Sequence, residues 1–415
     1  MTEQYDVVIV GAGHGGAQVA IALRQARLSG TVALIGAEPE LPYERPPLSK
    51  DFLCGDRPFE RMLIRPAEFW RAQGIQMICG RSALAVDATA HRVTLADGES
   101  IEYGRLIWAA GGSPRQLTCP GTDLAGVHTV RARADVERIR HELSTVTHVV
   151  VVGGGFIGLE VAATLRKLGK NVTVLEAQDR VLARVAAEPL SRFYEAEHRS
   201  RGVDVRLGAN IDCIEGTNGR VSGVRLLNGE KLPAQMVVVG IGIAPAVGPL
   251  IAAGAQGGNG VTIDANCRTS LPDVFALGDC ALQSSTFADG AHVRIESVQN
   301  ALDHAAVIAR HFSGAPAASA VVPWFWSNQY DLRLQTLGLS VGHDDLVLRG
   351  EPTSKRFSLV YLKAGRVVAL DCINAAADYM QGRALIMARA CISRARLADP
   401  AIPLKTLIQV PGPFP

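Results

Sequence analysis

Several absences narrow this sequence before any motif is read. Its eight cysteines, at 54, 79, 119, 213, 267, 280, 372 and 391, form no Cys-x-x-Cys and no Cys-x4-Cys spacing. That argues against zinc or any other metal and against a redox-active disulfide. Thiols scattered this way fit a reducing, cytoplasmic compartment. An excess of one charge is missing too. With 42 Lys and Arg against 40 Asp and Glu the net charge is +2, so nothing draws the chain toward nucleic acid or a lipid surface. No low-complexity linker interrupts it, and Met-Thr-Glu-Gln-Tyr leads directly into an apolar strand, leaving no room for a signal peptide. One uncharged stretch, Leu232 to Ile263, is long enough to span a bilayer. Gly240, Gly242, Pro245, Gly248, Pro249 and Gly254 break it, so it reads as a buried strand at Met236–Val239, a turn and a short packed helix.

The chain does contain two glycine-rich loops, each placed after an apolar strand and before a helix. The first is Asp6-Val-Val-Ile-Val10 followed by Gly11-Ala12-Gly13-His-Gly-Gly16 and a helical run to about Arg27. The second is His148-Val-Val-Val-Val152 followed by Gly153-Gly-Gly155-Phe156-Ile157-Gly158 and a helix from Leu159 to Lys167. In such a loop the first glycine permits the tight turn, the second lets backbone approach a pyrophosphate, and the third lets helix and strand pack closely. The phosphates rest on the helix N-terminus, where free amides and the dipole favour negative charge. Two such loops predict two dinucleotide sites. A chain that holds two dinucleotides passes electrons between them, which points to a flavin reduced by a nicotinamide cofactor.

Alternating strands and helices through Thr31–Ile35, Val93–Leu95, Leu106–Ala109, the helical spacing of Arg131–Ser144 and the strand Asp273-Val-Phe-Ala-Leu-Gly-Asp279 predict doubly wound parallel sheets. From about Val321 the pattern changes. Period-two alternation over Phe357–Leu362 and Val367–Ile373 predicts antiparallel strands, followed by a helix near Arg383–Arg394 and a Pro-rich tail. Glu176 ends the strand Val172-Thr-Val-Leu-Glu176, where a carboxylate accepts from both ribose hydroxyls and repels a 2′-phosphate. Ala177 follows where a phosphate binder favours Arg, so NADH is expected over NADPH. In the first unit the matching position holds Ala37, with Glu38 one place on. Either the Glu38 side chain or the Ala37 backbone meets the FAD ribose.

Five ordered segments resemble the flavin- and NADH-dependent ferredoxin reductases of bacterial oxygenase systems. They are Pro42-Tyr-Glu-Arg-Pro-Pro-Leu-Ser-Lys50, Gly153-Gly-Gly-Phe-Ile-Gly-Leu-Glu-Val-Ala162, Ala276-Leu-Gly-Asp279, Arg294-Ile-Glu-Ser-Val298 and Pro323-Trp-Phe-Trp-Ser327. The resemblance covers nearly the whole chain. It implies a glutathione-reductase-like α/β architecture of two doubly wound, Rossmann-like dinucleotide-binding domains plus a C-terminal α+β domain. An FAD domain (1–112 and 246–320) would be split around an inserted NAD domain (113–245) and followed by residues 321–415.

The same resemblance implies residue roles. FAD would meet Gly11, Ala12, Gly13, Gly16, Ala37, Glu38, Arg45, Lys50, Ala83, Arg131, Asp279, Val298 and Trp326. NAD would meet Gly153, Gly155, Phe156, Ile157, Gly158, Glu160, Glu176, Arg184 and Gly242. Lys50 and Glu160 would form the pair at the reacting centre, where a cation stabilises charge developing on the flavin. The bland alternatives are an acid in a helix's first turn for Glu160 and a solvated loop lysine for Lys50. The partner implied is a small acidic 2Fe–2S ferredoxin. Eleven Lys and Arg against seven Asp and Glu after residue 321, with Arg383, Arg389, Arg394 and Arg396 at roughly helical spacing, would steer it. Arg65 and Arg333 would lie near the docking face. Rubredoxin reduction, a disulfide or peroxide reductase using Cys54, and a redox-gated binding protein of apoptosis-inducing-factor type remain as alternatives. Monomer is the expected state.

Overall fold

A computed structural model describes residues 3–316 and 320–408; the Pro-rich tail lies outside the described residues. The chain forms two compact units. The first comprises residues 1–45, 59–113 and 244–325, the second 46–58, 114–243 and 326–415.

In the first unit, the valine- and isoleucine-rich strand Glu3–Val10 sits in the middle of a sheet. Val32–Gly36 and Ile75–Cys79 lie parallel to one side, Ser100–Trp108 and Val274–Ala276 parallel to the other. Val7 to Val10 are at most 5% exposed, as expected for a central parallel strand covered on both faces. Arg92–Leu95 and Ala83–Asp87 extend the sheet as an antiparallel arm. Helix His14–Gln25 packs against helix Val298–Phe312. Arg24 closes the first helix by donating to the carbonyls of Leu28, Gly30, Gln73 and Gly74.

The second unit holds a parallel sheet in the order Asp204–Arg206, Asn171–Leu175, His148–Val152, Met236–Val239, Val127–Thr129. Helices Phe156–Lys167 and Glu188–Ser200 belong to the same unit. A three-stranded antiparallel sheet follows at Ile211–Thr217, Arg220–Leu226 and Lys231–Pro233. The apolar stretch after Leu232 resolves into the strands Met236–Val239 and Ile243–Pro245 and then, in the first unit, the helix Gly248–Ala252 and the strand Gly260–Ile263. Among the described residues no helix is long and apolar enough to cross a membrane.

Antiparallel strands Leu332–Gly338, Arg366–Ile373, Arg356–Lys363 and Asp345–Glu351 form the expected C-terminal sheet, with Trp324–Gln329 at its edge. The helix beyond it differs from expectation. It spans Ala376–Met387, and a separate short helix runs Arg394–Ala398. Arg389 adopts φ +47°, and the Ala390 amide reaches back to the Leu385 carbonyl, which terminates the helix as a left-handed closure does. Val367 then captures the Ala390 carbonyl, and Cys391 bridges Arg366. Arg383, Arg389, Arg394 and Arg396 therefore do not share one helix face, and Arg394 is held by Asp345. Arg349, with a side chain 3% exposed, donates to Asp378 and to the carbonyls of Leu397, Asp399 and Ile402. Arg349→Met removes the cation from the half-buried Asp378 carboxylate, which keeps only Ser358, and strands three carbonyls, so thermal unfolding should report a loss of about 3 kcal/mol.

Candidate functional site

Strand register explains why the candidate residues gather. In the first unit Val10 pairs with Ile35 and with Trp108, and Trp108 pairs with Ala276. The glycine loop at 11–16, Ala37 with Glu38, and Asp279 thus all leave the carboxyl edge of one sheet, where parallel sheets bind ligands. In the second unit Val152 pairs with Leu175 and Val239, which brings the loop at 153–158, Glu176 and Gly242 to a corresponding edge.

The glycines show whether dinucleotides fit. Gly11 and Gly153 have φ +110° and +107°, which side chains resist. A Cβ on Gly16 would overlap the Gly11 carbonyl oxygen, and one on Gly158 the Gly153 carbonyl oxygen. Gly13 and Gly155 differ. A Cβ on Gly13 would meet only Arg45 Nε at 3.8 Å, and one on Gly155 nothing within 4 Å. These glycines open onto free space at the helix start, and neither helix carries an acid in its first turn. Both loops fit a pyrophosphate.

Beside the first loop, Glu38 accepts from Tyr43 Oη at 2.5 Å and from Arg45 Nη2 at 2.6 Å. Burial works against the Arg45 charge, but Tyr43, Glu38 and Asp279 together raise its pKa. Glu38 is thus a clamped acid on the sheet edge rather than a loose one. Arg294 donates to the Asp279 carbonyl at 3.0 Å and pairs with Glu296 at 2.6 Å; its buried Nε has no protein partner. Ala83 opens the antiparallel arm, and Val298 opens the helix that Ser297 caps. Arg131 lies ahead of helix Arg133–Glu142, its N–H donating to Asp135 at 3.0 Å.

In the second unit, Glu176 accepts from the Gly154 amide at 2.7 Å and the Gln178 amide at 2.9 Å, so its carboxylate is fixed against the loop. Ile157 is 45% exposed at the loop's lip. Gly242 has φ +97°, and a Cβ there would lie 3.4 Å from Arg184 Nη2, so these two predicted residues are neighbours. Arg180 is instead spent on the carbonyls of Ala183 and Ala186 and on Ser191.

Lys50 and Glu160 form an ion pair within this unit. Glu160 lies in the second turn of helix Phe156–Lys167 and is 2% exposed, so it is not a first-turn acid stabilised by the dipole. Lys50, 18% exposed, also bonds the Pro46 carbonyl at 3.2 Å and is no solvated loop lysine. Ser49 Oγ donates to Glu160 Oε2 at 2.6 Å, and Ser327 Oγ to Oε1 at 2.6 Å. Thr164 fastens the same helix to the Ser49 carbonyl at 2.8 Å. Trp326 precedes Ser327 in its strand, so the two side chains point to opposite faces. The roles of Ser49, Ser327, Gln329 and His198 escaped sequence reading. The two serines stand inside resemblance segments, whereas nothing local marks Gln329 or His198.

Arg65 is exposed, over the Phe69 ring at 5.4 Å, and Arg333 is exposed on its strand. All eight cysteines are free. Cys54 lies beside Asp56 and Lys167, and burial pushes its thiol up.

The pyridine nucleotide-disulphide oxidoreductase family model matches residues 5–305, and the reductase C-terminal model matches 324–408. The chain is 56% identical over 410 residues to a ferredoxin–NAD(P)+ reductase of Sphingomonas sp., covering 99% of each. It is 54% identical to the ferredoxin reductase subunit of a 5,5′-dehydrodivanillate O-demethylase of Sphingobium sp., covering 98% of this chain and 99% of the relative. Its fold matches the reductase in a covalent putidaredoxin reductase–putidaredoxin complex with a TM-score of 0.93 at 38% identity, covering 98% of each chain. With two dinucleotide cradles on two sheet edges and these matches along its length, the chain belongs to the pyridine nucleotide-disulphide oxidoreductase family, among its ferredoxin reductases, as a flavoprotein using FAD and a nicotinamide dinucleotide.

Proposed function

We propose that this protein passes electrons from NADH through FAD to a 2Fe–2S ferredoxin that serves an oxygenase. The observation that carries the reading is the pair of loops with different acids beside them. FAD is assigned to residues 1–112 and 246–320, and NADH to 113–245, with 321–415 as the C-terminal domain. Bound FAD takes up two electrons as a hydride and releases them singly. The first loop's amides hold one pyrophosphate, with Arg45 and Asp279 beside it. Glu176 grips the nicotinamide dinucleotide's ribose and repels a 2′-phosphate. Lys50 supplies the cation at the reacting centre, and Glu160 holds it in place. Trp326 covers the flavin, and exposed Arg65 and Arg333 meet an acidic ferredoxin. The free cysteines agree with a reducing cytoplasm.

The ferredoxin assignment rests on relatives carrying that name; other relatives, 35% and 36% identical over 89% of this chain, are named rubredoxin reductases. Anaerobic NADH-driven turnover against 2Fe–2S ferredoxins and a rubredoxin separates them. Fast transfer to a ferredoxin is the expected result. Transfer to rubredoxin alone, or to neither, overturns it. In the same assay Glu176→Gln keeps an oxygen for the Gly154 amide but removes the charge. The NADH-over-NADPH preference should then fall roughly 100-fold, the scale of a relieved like-charge contact. An unchanged preference would remove Glu176 from cofactor choice.

A further inference from the structure

Behind Glu160 a line of polar groups runs through the interior of the second unit, and its direction follows from one fixed end. A carboxylate only accepts, so the Ser327 hydroxyl gives its single proton to Glu160 Oε1. Ser327 Oγ is then left to accept, and Gln329 Nε2 donates to it at 3.3 Å. That sets the amide's orientation and turns Gln329 Oε1 toward His198 Nε2, 2.8 Å away. His198 Nε2 must therefore carry hydrogen, leaving Nδ1 to accept from Tyr330 Oη at 3.1 Å. Ser327 and His198 are fully buried and Gln329 is 1% exposed. Burial also brings the imidazole down to about 4, so it is neutral at physiological pH.

We propose that Ser327, Gln329 and His198 are positioning residues that form a directed donor chain, holding Glu160 as the anion facing Lys50 and tying the His198 tautomer to the charge on Glu160. This rests on the reading of Lys50 and Glu160 as the reacting pair. Burial by itself favours a neutral acid, whereas donors aimed at the carboxylate favour the charged form. Ser49 and Lys50 both bond Oε2, and Ser327 serves Oε1. Without the chain Glu160 would lose its second support, and protonated it would no longer hold the ammonium. The amide in the middle passes protons poorly, so the line orients rather than conducts. Lys50 faces Glu160 from just after the Pro46–Ser49 turn and Tyr194 faces it from helix Glu188–Ser200, where burial first, then the charges of Asp371 and Glu160, push that phenol up. Glu197 acts on His198 from its own helix and Arg201 from the residue that caps it, and Tyr330 faces it from the strand end, with Arg201 over its ring at 4.3 Å.

Two readouts on the holoprotein test this. The first is histidine 15N NMR. Wild type should show His198 as the Nε2–H tautomer. Glu160→Gln, whose amide can donate to Ser327, should admit the Nδ1–H form. The second is the pH profile of anaerobic flavin bleaching by NADH in stopped flow. Ser327→Ala should move its acid limb up by about one to two pH units, the scale of a lost hydrogen bond to a buried charge; Gln329→Leu, which leaves the Ser327 hydroxyl on Oε1, should move it the same way by less. Ser327→Thr, which keeps the hydroxyl, should keep the wild-type profile. Profiles of Ser327→Ala and Gln329→Leu that coincide with wild type overturn the proposal, as does a wild-type Nδ1–H tautomer. If NADH fails to bleach wild-type flavin, the reaction reading falls. The tautomers of wild type and Glu160→Gln then decide the chain by themselves.

Discussion

A Lys50→Met protein is expected to lose about 3–5 kcal/mol of stability and to reduce its flavin with NADH roughly 100- to 1,000-fold more slowly. The stability loss comes from Glu160, which is 2% exposed. Without the ammonium it keeps the Ser49 and Ser327 hydroxyls, which soften but do not replace a cation. The two effects are separable. Replacing a buried ion pair by apolar side chains of similar size is often neutral, so the double variant Lys50→Met/Glu160→Leu should regain most of the lost stability. It should regain none of the rate, because the cation is still missing. Thermal unfolding of the apoprotein and stopped-flow bleaching of the holoprotein measure the two quantities. A double variant that recovers both would reduce the pair to a structural element. A single variant with normal bleaching would remove Lys50 from the reacting centre.

The glycine loops give the other large effect, and here the positions within one loop predict opposite signatures. Gly158→Ala places a methyl group in the Gly153 carbonyl, which backbone can relieve only by parting helix from strand. A cost above the 1–3 kcal/mol of ordinary overpacking is expected, together with loss of NADH binding. Gly155→Ala puts the same methyl where no protein atom lies within 4 Å. The apoprotein should lose no more than about 1 kcal/mol, the disadvantage of alanine against glycine at a helix N-cap, since the extended backbone at Gly155 suits either residue. NADH affinity should nevertheless fall more than about tenfold, because the methyl occupies space open to a pyrophosphate. Calorimetric titration with NADH beside apoprotein unfolding reads both. Unaltered affinity in Gly155→Ala would mean that phosphates do not rest on this loop.

Both loops were legible because their chemistry is local: strand, glycine spacing and helix stand within one short segment, and each glycine has a steric reason. The Lys50–Glu160 pair was legible only through resemblance, since no periodicity links residues 110 apart in sequence. The chain behind it was not legible. His198 and Gln329 are 131 residues apart, and a histidine on an amphipathic helix looks like any other core histidine. The basic stretch near the C-terminus misled for a related reason. Arg389 takes a left-handed conformation that glycine or asparagine would have advertised. The pull on Ala390 and Cys391 comes from Val367 and Arg366, a strand away. Glu38 was ambiguous in sequence because its partners, Tyr43 and Arg45, act as a clamp only once the loop folds back.

The first unit is assembled from three stretches of chain, and the last ends at residue 325. On the ribosome, which adds about 5–20 residues per second, the strand Ser100–Trp108 emerges long before Val274–Ala276, its neighbour in the sheet. For on the order of ten seconds or more the nascent sheet carries an open apolar edge that no later part of its own unit can cover. The second unit closes later still, because its own last stretch, residues 326–415, follows the last stretch of the first. Both units of this flavoprotein therefore stay incomplete until late in synthesis, and the uncovered sheet edge is what a chaperone would shield meanwhile.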